Sequence, residues 1–190
     1  MGGSFHDRFS VSDGPSDFGN RIASPSVTGA FERSLGLGVP YHVGIAVWDL
    51  DEAMTRLGRT LGLERWGTLE TETPAVYRGS ETTTGIRSAF ARTGELIVEL
   101  VQPTGGGFTA QTFLDERGEG IYHLGYWVDD VPAAIRIAAE LGIGVDWATP
   151  PGEAPFAVYL DSGPTLGVHI ELVGVAMRPV IENAIARAQT

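Results

Sequence analysis

Apolar and polar positions alternate, or run apolar among β-formers, over residues 41–48 and again over 122–128, so each segment is expected to form a strand. The period then lengthens. Leu50, Ala53, Leu57 and Leu61 fall on one face of a helix over 50–61, and Val131, Ala134, Ile135, Ala138 and Leu141 do the same over 131–141. Asp49 and Asp130 stand at the expected N-caps, with Glu52 at capping-box spacing, and Gly62 and Gly142 close the two helices. Further strands are expected near 64–70, 86–92 and 95–101, and near 144–148, 155–160 and 167–173. Pro103 and Gly105-Gly106-Gly107 break the pattern before a connecting helix over 109–117. A last helix over 178–188 offers Val180, Ile181, Ile185 and Ala186 for docking.

These elements describe one unit written twice. Tyr41-His42-Val43-Gly44-Ile45-Ala46-Val47-Trp48-Asp49 returns as Tyr122-His123-Leu124-Gly125-Tyr126-Trp127-Val128-Asp129-Asp130, and Val98-Glu99-Leu100-Val101 returns as Ile170-Glu171-Leu172-Val173. The second copy is about nine residues shorter in its middle, and the excess is assigned to the stretch Thr71 to Thr84, read as loop-rich. The expected organisation is an N-terminal extension over 1–37 with a short helix near 30–34, a first module over 38–103, a linker over 104–119, a second module over 120–175 and a C-terminal helix over 176–190.

Composition narrows the partners. At 190 residues and 43% hydrophobic the chain supports one sizeable domain or two small fused modules. No apolar run reaches membrane-spanning length, and the first 35 residues lack the apolar core of a signal peptide, so a cytoplasmic protein is expected. The net charge of −11 disfavours nucleic acid and anionic membrane surfaces. With no cysteine there are no disulfides, thiolate ligands or Cys nucleophile. Gly105-Gly106-Gly107 lacks the Lys-Ser/Thr of a phosphate loop, and Ser88 has no triad pattern around it.

Strand alternation places the chemistry on one face. His42 shares its face with Gly44 and Ala46, Glu99 with Ile97 and Val101, His123 with Gly125 and Trp127, and Glu171 with His169 and Val173. The opposite faces are apolar and suit packing against helices. Two imidazoles and two carboxylates on the concave side of a curved sheet form a reasonable N2O2 set for Zn, Ni, Co, Mn or Fe. His169 is a candidate acid/base or substrate contact, and Trp127, Ser88 and Tyr159 are candidates for a substrate pocket. Trp66 and Trp147, equivalent in the repeat, are read as core.

The segments Tyr41 to Val47, Val98 to Pro103, Gly120 to Gly125 with Val128-Asp129-Asp130, and Gly167 to Val173 together resemble the vicinal oxygen chelate superfamily, which includes glyoxalases, bleomycin resistance proteins, methylmalonyl-CoA epimerases and extradiol dioxygenases. The resemblance covers roughly residues 38–175. It implies an α+β fold of two tandem βαβββ modules in a curved mixed sheet around a metal cleft, with the metal at His42, Glu99, His123 and Glu171, and a homodimer. Phe113 to Gly120 is similar to the epimerase-like branch. That branch implies a glutamate base on the strand beginning near Gly85, where this chain has Ser88, with Thr83 at a second acidic position. The expected function is therefore a metal-dependent isomerase, epimerase or lyase other than methylmalonyl-CoA epimerase itself. Its substrate is a small molecule bearing a carbonyl or vicinal oxygens, with Glu99, Glu171 or His169 moving the proton. Two alternatives stand beside it: an Fe(II) ring-cleaving dioxygenase, against which the fourth ligand Glu99 counts, and a non-catalytic protein that sequesters a hydrophobic molecule.

Overall fold

Eight strands close into a barrel in the computed structural model, which describes residues 34–188. Most of the helix expected near 30–34 lies outside the described residues. The first module runs β1 (His42–Ala46), α1 (Leu50–Leu61), β2 (Gly67–Tyr77), β3 (Ser80–Thr93) and β4 (Leu96–Gly105). After the linker helix α2 (Thr109–Arg117), the second module runs β5 (Gly120–Val128), α3 (Val131–Glu140), β6 (Val145–Thr149), β7 (Ala157–Leu160) and β8 (His169–Gly174). A short helix, α4 (Gly163–Leu166), bridges β7 to β8, and a 3-10 turn (Val175–Met177) leads into α5 (Arg178–Arg187). The fold is the duplicated βαβββ arrangement in an α+β protein. Among the described residues no helix is long and apolar enough to cross a membrane.

Around the barrel the order is β1-β4-β3-β2-β6-β7-β8-β5. Each module therefore contributes one half, and the halves meet at β1–β5 and at β2–β6, both antiparallel. Within each half the first and last strands pair in parallel, β1 with β4 and β5 with β8. The helix between them makes the crossover that a parallel pair requires.

The helices form where the pattern puts them. Asp49 Oδ1 accepts from Glu52 N at 2.8 Å, and Asp130 Oδ1 accepts from Ala133 N at 2.8 Å, so each cap satisfies an otherwise free amide. The Glu52 side chain turns to Arg56 instead of completing a capping box. Leu50 and Ala53 are buried against Ala89 and Leu100, whereas Leu61 is 59% exposed; the stripe that holds α1 ends one turn early. Burial of Leu50 alone contributes about 2 kcal/mol. In the second module Val131, Ala134 and Ala138 pack on Val158, Leu160, Ile170 and Leu172. α5 covers one barrel end, with Ile181 and Ile185 against Phe90 and Ile97.

The stretch Thr71 to Thr84 is not a loop. It is the core of a β2–β3 hairpin paired without interruption from Gly67↔Phe90 to Tyr77↔Ser80. Its two-residue turn has φ of 48° at Arg78 and 77° at Gly79, the double left-handed pattern that suits a tight hairpin. Arginine is a rare choice there, and its position is held from outside: Arg78 N donates to the Asp146 carbonyl at 2.8 Å and Nε to Asp146 Oδ1 at 2.9 Å. Pro103 likewise lies inside β4 and not beyond it. Its β1 neighbour has already ended opposite Val101, so the missing N–H is needed by no ladder bond on that side.

Candidate metal centre

The β1–β5 pairing brings the two copies of the repeat face to face. His42 lies opposite Gly125, and Gly44 opposite His123. On their other sides Gly44 pairs with Glu99 of β4, and Gly125 with Glu171 of β8. Each glycine thus stands between the other module's histidine and its own module's glutamate. A Cβ on Gly44 would lie 1.8 Å from His123 Cε1, and a Cβ on Gly125 would lie 1.8 Å from His42 Cε1. The two absent side chains make the space in which the two imidazoles meet.

All four side chains are buried, and one ligand atom from each lies within 4.8 Å of the others. His42 Nε2 is 3.0 Å from both Glu99 Oε2 and Glu171 Oε2. His123 Nε2 is 3.3 Å from Glu99 Oε2 and 3.4 Å from Glu171 Oε2. The two Nε2 atoms face each other directly. Bonds of about 2.0–2.2 Å from N and O donors to one cation place neighbouring donors about 3–3.4 Å apart, which is the spacing of these N–O pairs. Glu171 Oε2 is buried without a hydrogen-bond partner, as are Nδ1 of His42 and of His123. Convergent lone-pair donors with too few protons to bridge them fit a divalent cation.

Electrostatics prepares the donors. Burial by itself would raise both carboxyls, but contacts with the His123 and His42 rings outweigh it and hold Glu99 and Glu171 below the ordinary range, so both are ionised. Burial opposes charge on His42, yet the contacts with Glu171 and Glu99 raise it to about 9. Without a cation, then, His42 carries a proton that metal binding must release.

Aromatic rings fix the imidazoles where no Nδ1 partner does. Tyr41 meets His42 edge-on at 4.3 Å, and Tyr122 meets His123 edge-on at 4.4 Å. Tyr122 faces inward beside its neighbour because β5 bulges: Gly44 pairs with His123 and Ile45 with Ile121, leaving Tyr122 out of register. Strict alternation hides such a residue, and only the shared Tyr-His dipeptide of the two repeats hints at it.

A cavity of about 200 Å³ opens on the two carboxylates. Ser88 and Tyr159 are in its wall, together with Glu99 and Glu171. Phe156 joins Tyr159 there although the two are three positions apart, because Phe156 precedes β7 and is free of its alternation. Thr71, Thr73, Phe108 and Thr149 also line it and were not singled out from sequence; Thr71 and Thr73 were hidden by the loop reading of 71–84, and Trp147, read as core, is buried and lines the cavity as well. Tyr122 Oη donates to Tyr159 Oη at 3.0 Å, and burial together with Glu171 pushes the Tyr159 hydroxyl well above its ordinary pKa.

Two expected site residues lie elsewhere. Trp127 stacks on Tyr41 at 3.8 Å beneath Arg178, in the apolar plug under α5, and does not reach the cavity. His169 pairs with His123 along β8, one inward position before Glu171, the place that Ile97 holds in the first module. Its Nδ1 contacts the Leu160 carbonyl at 3.0 Å, and it borders a separate surface cavity with Arg78 and Arg117.

A duplicated βαβββ barrel whose repeat joint gathers two histidines and two glutamates defines a class of fold with a candidate metal site at its centre. The sequence profile of the Glyoxalase/Bleomycin resistance protein/Dioxygenase superfamily matches residues 41–159, and the chain belongs to that family. Among solved structures, methylmalonyl-CoA epimerase from Mycobacterium tuberculosis is similar at 26% identity and a TM-score of 0.51, over 76% of this chain and 92% of that one. A methylmalonyl-CoA epimerase in complex with methylmalonyl-CoA and ammonium is similar at 26% identity and a TM-score of 0.54, over 74% and 96%. A Streptomyces coelicolor methylmalonyl-CoA epimerase variant with bound 2-nitronate-propionyl-CoA gives the same values. A search of curated proteins returns no match.

Proposed function

We propose that the chain is a divalent-metal-dependent isomerase, epimerase or lyase that moves a proton beside a carbonyl group. The observation that carries this reading is the convergence of His42, Glu99, His123 and Glu171, two of which, Glu99 and Glu171, line a cavity of about 200 Å³. These four residues would hold the cation. Bound there, it would polarise a substrate carbonyl and stabilise the negative charge that develops when the adjacent C–H bond ionises.

The chain's own groups supply the rest. Among the described residues Glu99 and Glu171 are the only carboxylates in the cavity wall, so either is placed to take a proton from carbon and return it. Ser88, at the place where a glutamate base is implied by the resemblance, is too weak a base to take a proton from carbon, which leaves the role to a ligand carboxylate. Tyr159 stays protonated and, accepting from Tyr122, has its own proton to donate, which suits an oxygen gaining charge. Phe108 and Trp147, buried in the apolar core, give the cavity an aromatic wall that disfavours water beside the developing charge. Substrates are small molecules with a carbonyl or vicinal oxygens; acyl-CoA thioesters, which the related epimerases bind, are one such class.

Proton NMR in D2O tests the reading. Metal-loaded protein is expected to exchange the hydrogen next to the carbonyl of a turned-over compound, and Glu171→Gln is expected to lower the exchange rate at least 100-fold. Exchange that persists unchanged after verified removal of the metal contradicts the proposal. Oxygen uptake by the iron-loaded protein with a catechol would point to ring cleavage instead.

A further inference from the structure

We infer that the cavity admits its substrate as a compact, uncharged group and discriminates against one that carries a carboxylate into it. The inference rests on the metal-dependent reading above and narrows its substrate class.

The first observation is charge. Among the described residues Glu99 and Glu171 are the only carboxylates in the cavity wall and no arginine or histidine lines it; the chain contains no lysine. The arginines of the adjoining strand point away. Alternation along β3 turns Arg87 outward to Asp51 and Gln102, and Arg92 reaches Glu182 on α5. A divalent cation held by two carboxylates has no net formal charge, so the loaded centre exerts no long-range pull on an anion. A second carboxylate, one not engaged by the metal, would lose its hydration and find no counter-charge.

The second observation is chemistry and size. Phe108, Trp147, Phe156 and Met177 give the cavity an aromatic and thioether wall, while Ser88 and Tyr159 offer hydroxyls beside the glutamates. Thr73 and Thr149 bond to each other at 2.9 Å, and Thr149 donates on to the Pro74 carbonyl at 2.8 Å, so these two hydroxyls serve the wall. The volume of about 200 Å³ is below the range of about 300–1,000 Å³ typical of drug-sized ligands. Such a wall recognises a ring or short branched chain with neutral oxygens and offers an acid hydroxyls but no cationic side chain.

The test uses two probes of matched skeleton, 2-hydroxyacetophenone and 4-(hydroxyacetyl)benzoate, which present the same vicinal oxygens and differ in a ring carboxylate that cannot reach the metal with them. Full-length protein is loaded with zinc, its metal content is measured, and binding is read from tryptophan fluorescence with Trp147 in the wall. The expected result is a Kd for 2-hydroxyacetophenone at least tenfold below that for 4-(hydroxyacetyl)benzoate. Thr71→Arg, which places a cation in the wall at an exposed position, is expected to shrink that preference at least tenfold. Equal or tighter binding of 4-(hydroxyacetyl)benzoate to the unaltered protein overturns the inference, as does failure of both probes to bind the loaded protein. A protein that takes up no zinc yet keeps the preference for the neutral probe sinks the metal centre alone.

Discussion

At the scale of single residues, the site depends on two side chains that are missing. Gly44 and Gly125 each yield their Cβ volume to the histidine of the other module. Alanine at either position would force an imidazole out of place, at a cost of about 1–3 kcal/mol for overpacking. Gly44→Ala and Gly125→Ala are each expected to weaken zinc binding at least tenfold by isothermal titration calorimetry. Gly144→Ala meets open space and is expected to leave affinity unchanged; equal losses in all three would refute the interlock. The His-x-Gly spacing that encodes it is plain in both repeats, as is the pairing of two histidines with two glutamates. Tyr122 was not legible, because a bulge defeats period-two reading, and Trp127 was misplaced because an inward-facing residue near a strand end can belong to a plug as easily as to a pocket.

Elements show a similar division. α1 is legible to the residue, since an N-cap aspartate, an apolar stripe and a closing glycine agree locally. The two caps are equivalent in geometry, so Asp49→Ala and Asp130→Ala are each expected to lower unfolding free energy by about 1 kcal/mol in urea denaturation. A change under a few tenths in both would mean that packing alone sets the helix starts. The β2–β3 hairpin was hidden for the converse reason. Over 70–73 its first strand is polar on both faces, because Glu70 and Glu72 are exposed while Thr71 and Thr73 line the cavity. Its turn is an arginine held left-handed by Asp146, a long-range contact that no local pattern carries.

For the molecule as a whole, the duplication is the architecture and the chemistry at once. Neither module alone owns a metal site: one histidine and one glutamate come from each, and they meet only when β1 pairs with β5. Closure of the barrel through β2–β6 then makes the concave face an interior, with the cavity as its opening on the carboxylates. Fold and candidate ligands were legible because the repeat recurs in sequence; the reaction was not, because the cavity wall is assembled from strands, a linker helix and the turn before α5. The most direct measurement is the divalent metal content of the purified chain by native mass spectrometry, before and after adding zinc. One ion per chain, lost in His42→Ala and in Glu171→Gln with the fold retained by circular dichroism, is the predicted result. A folded chain that binds no ion, or binds it equally well in both variants, would contradict the account.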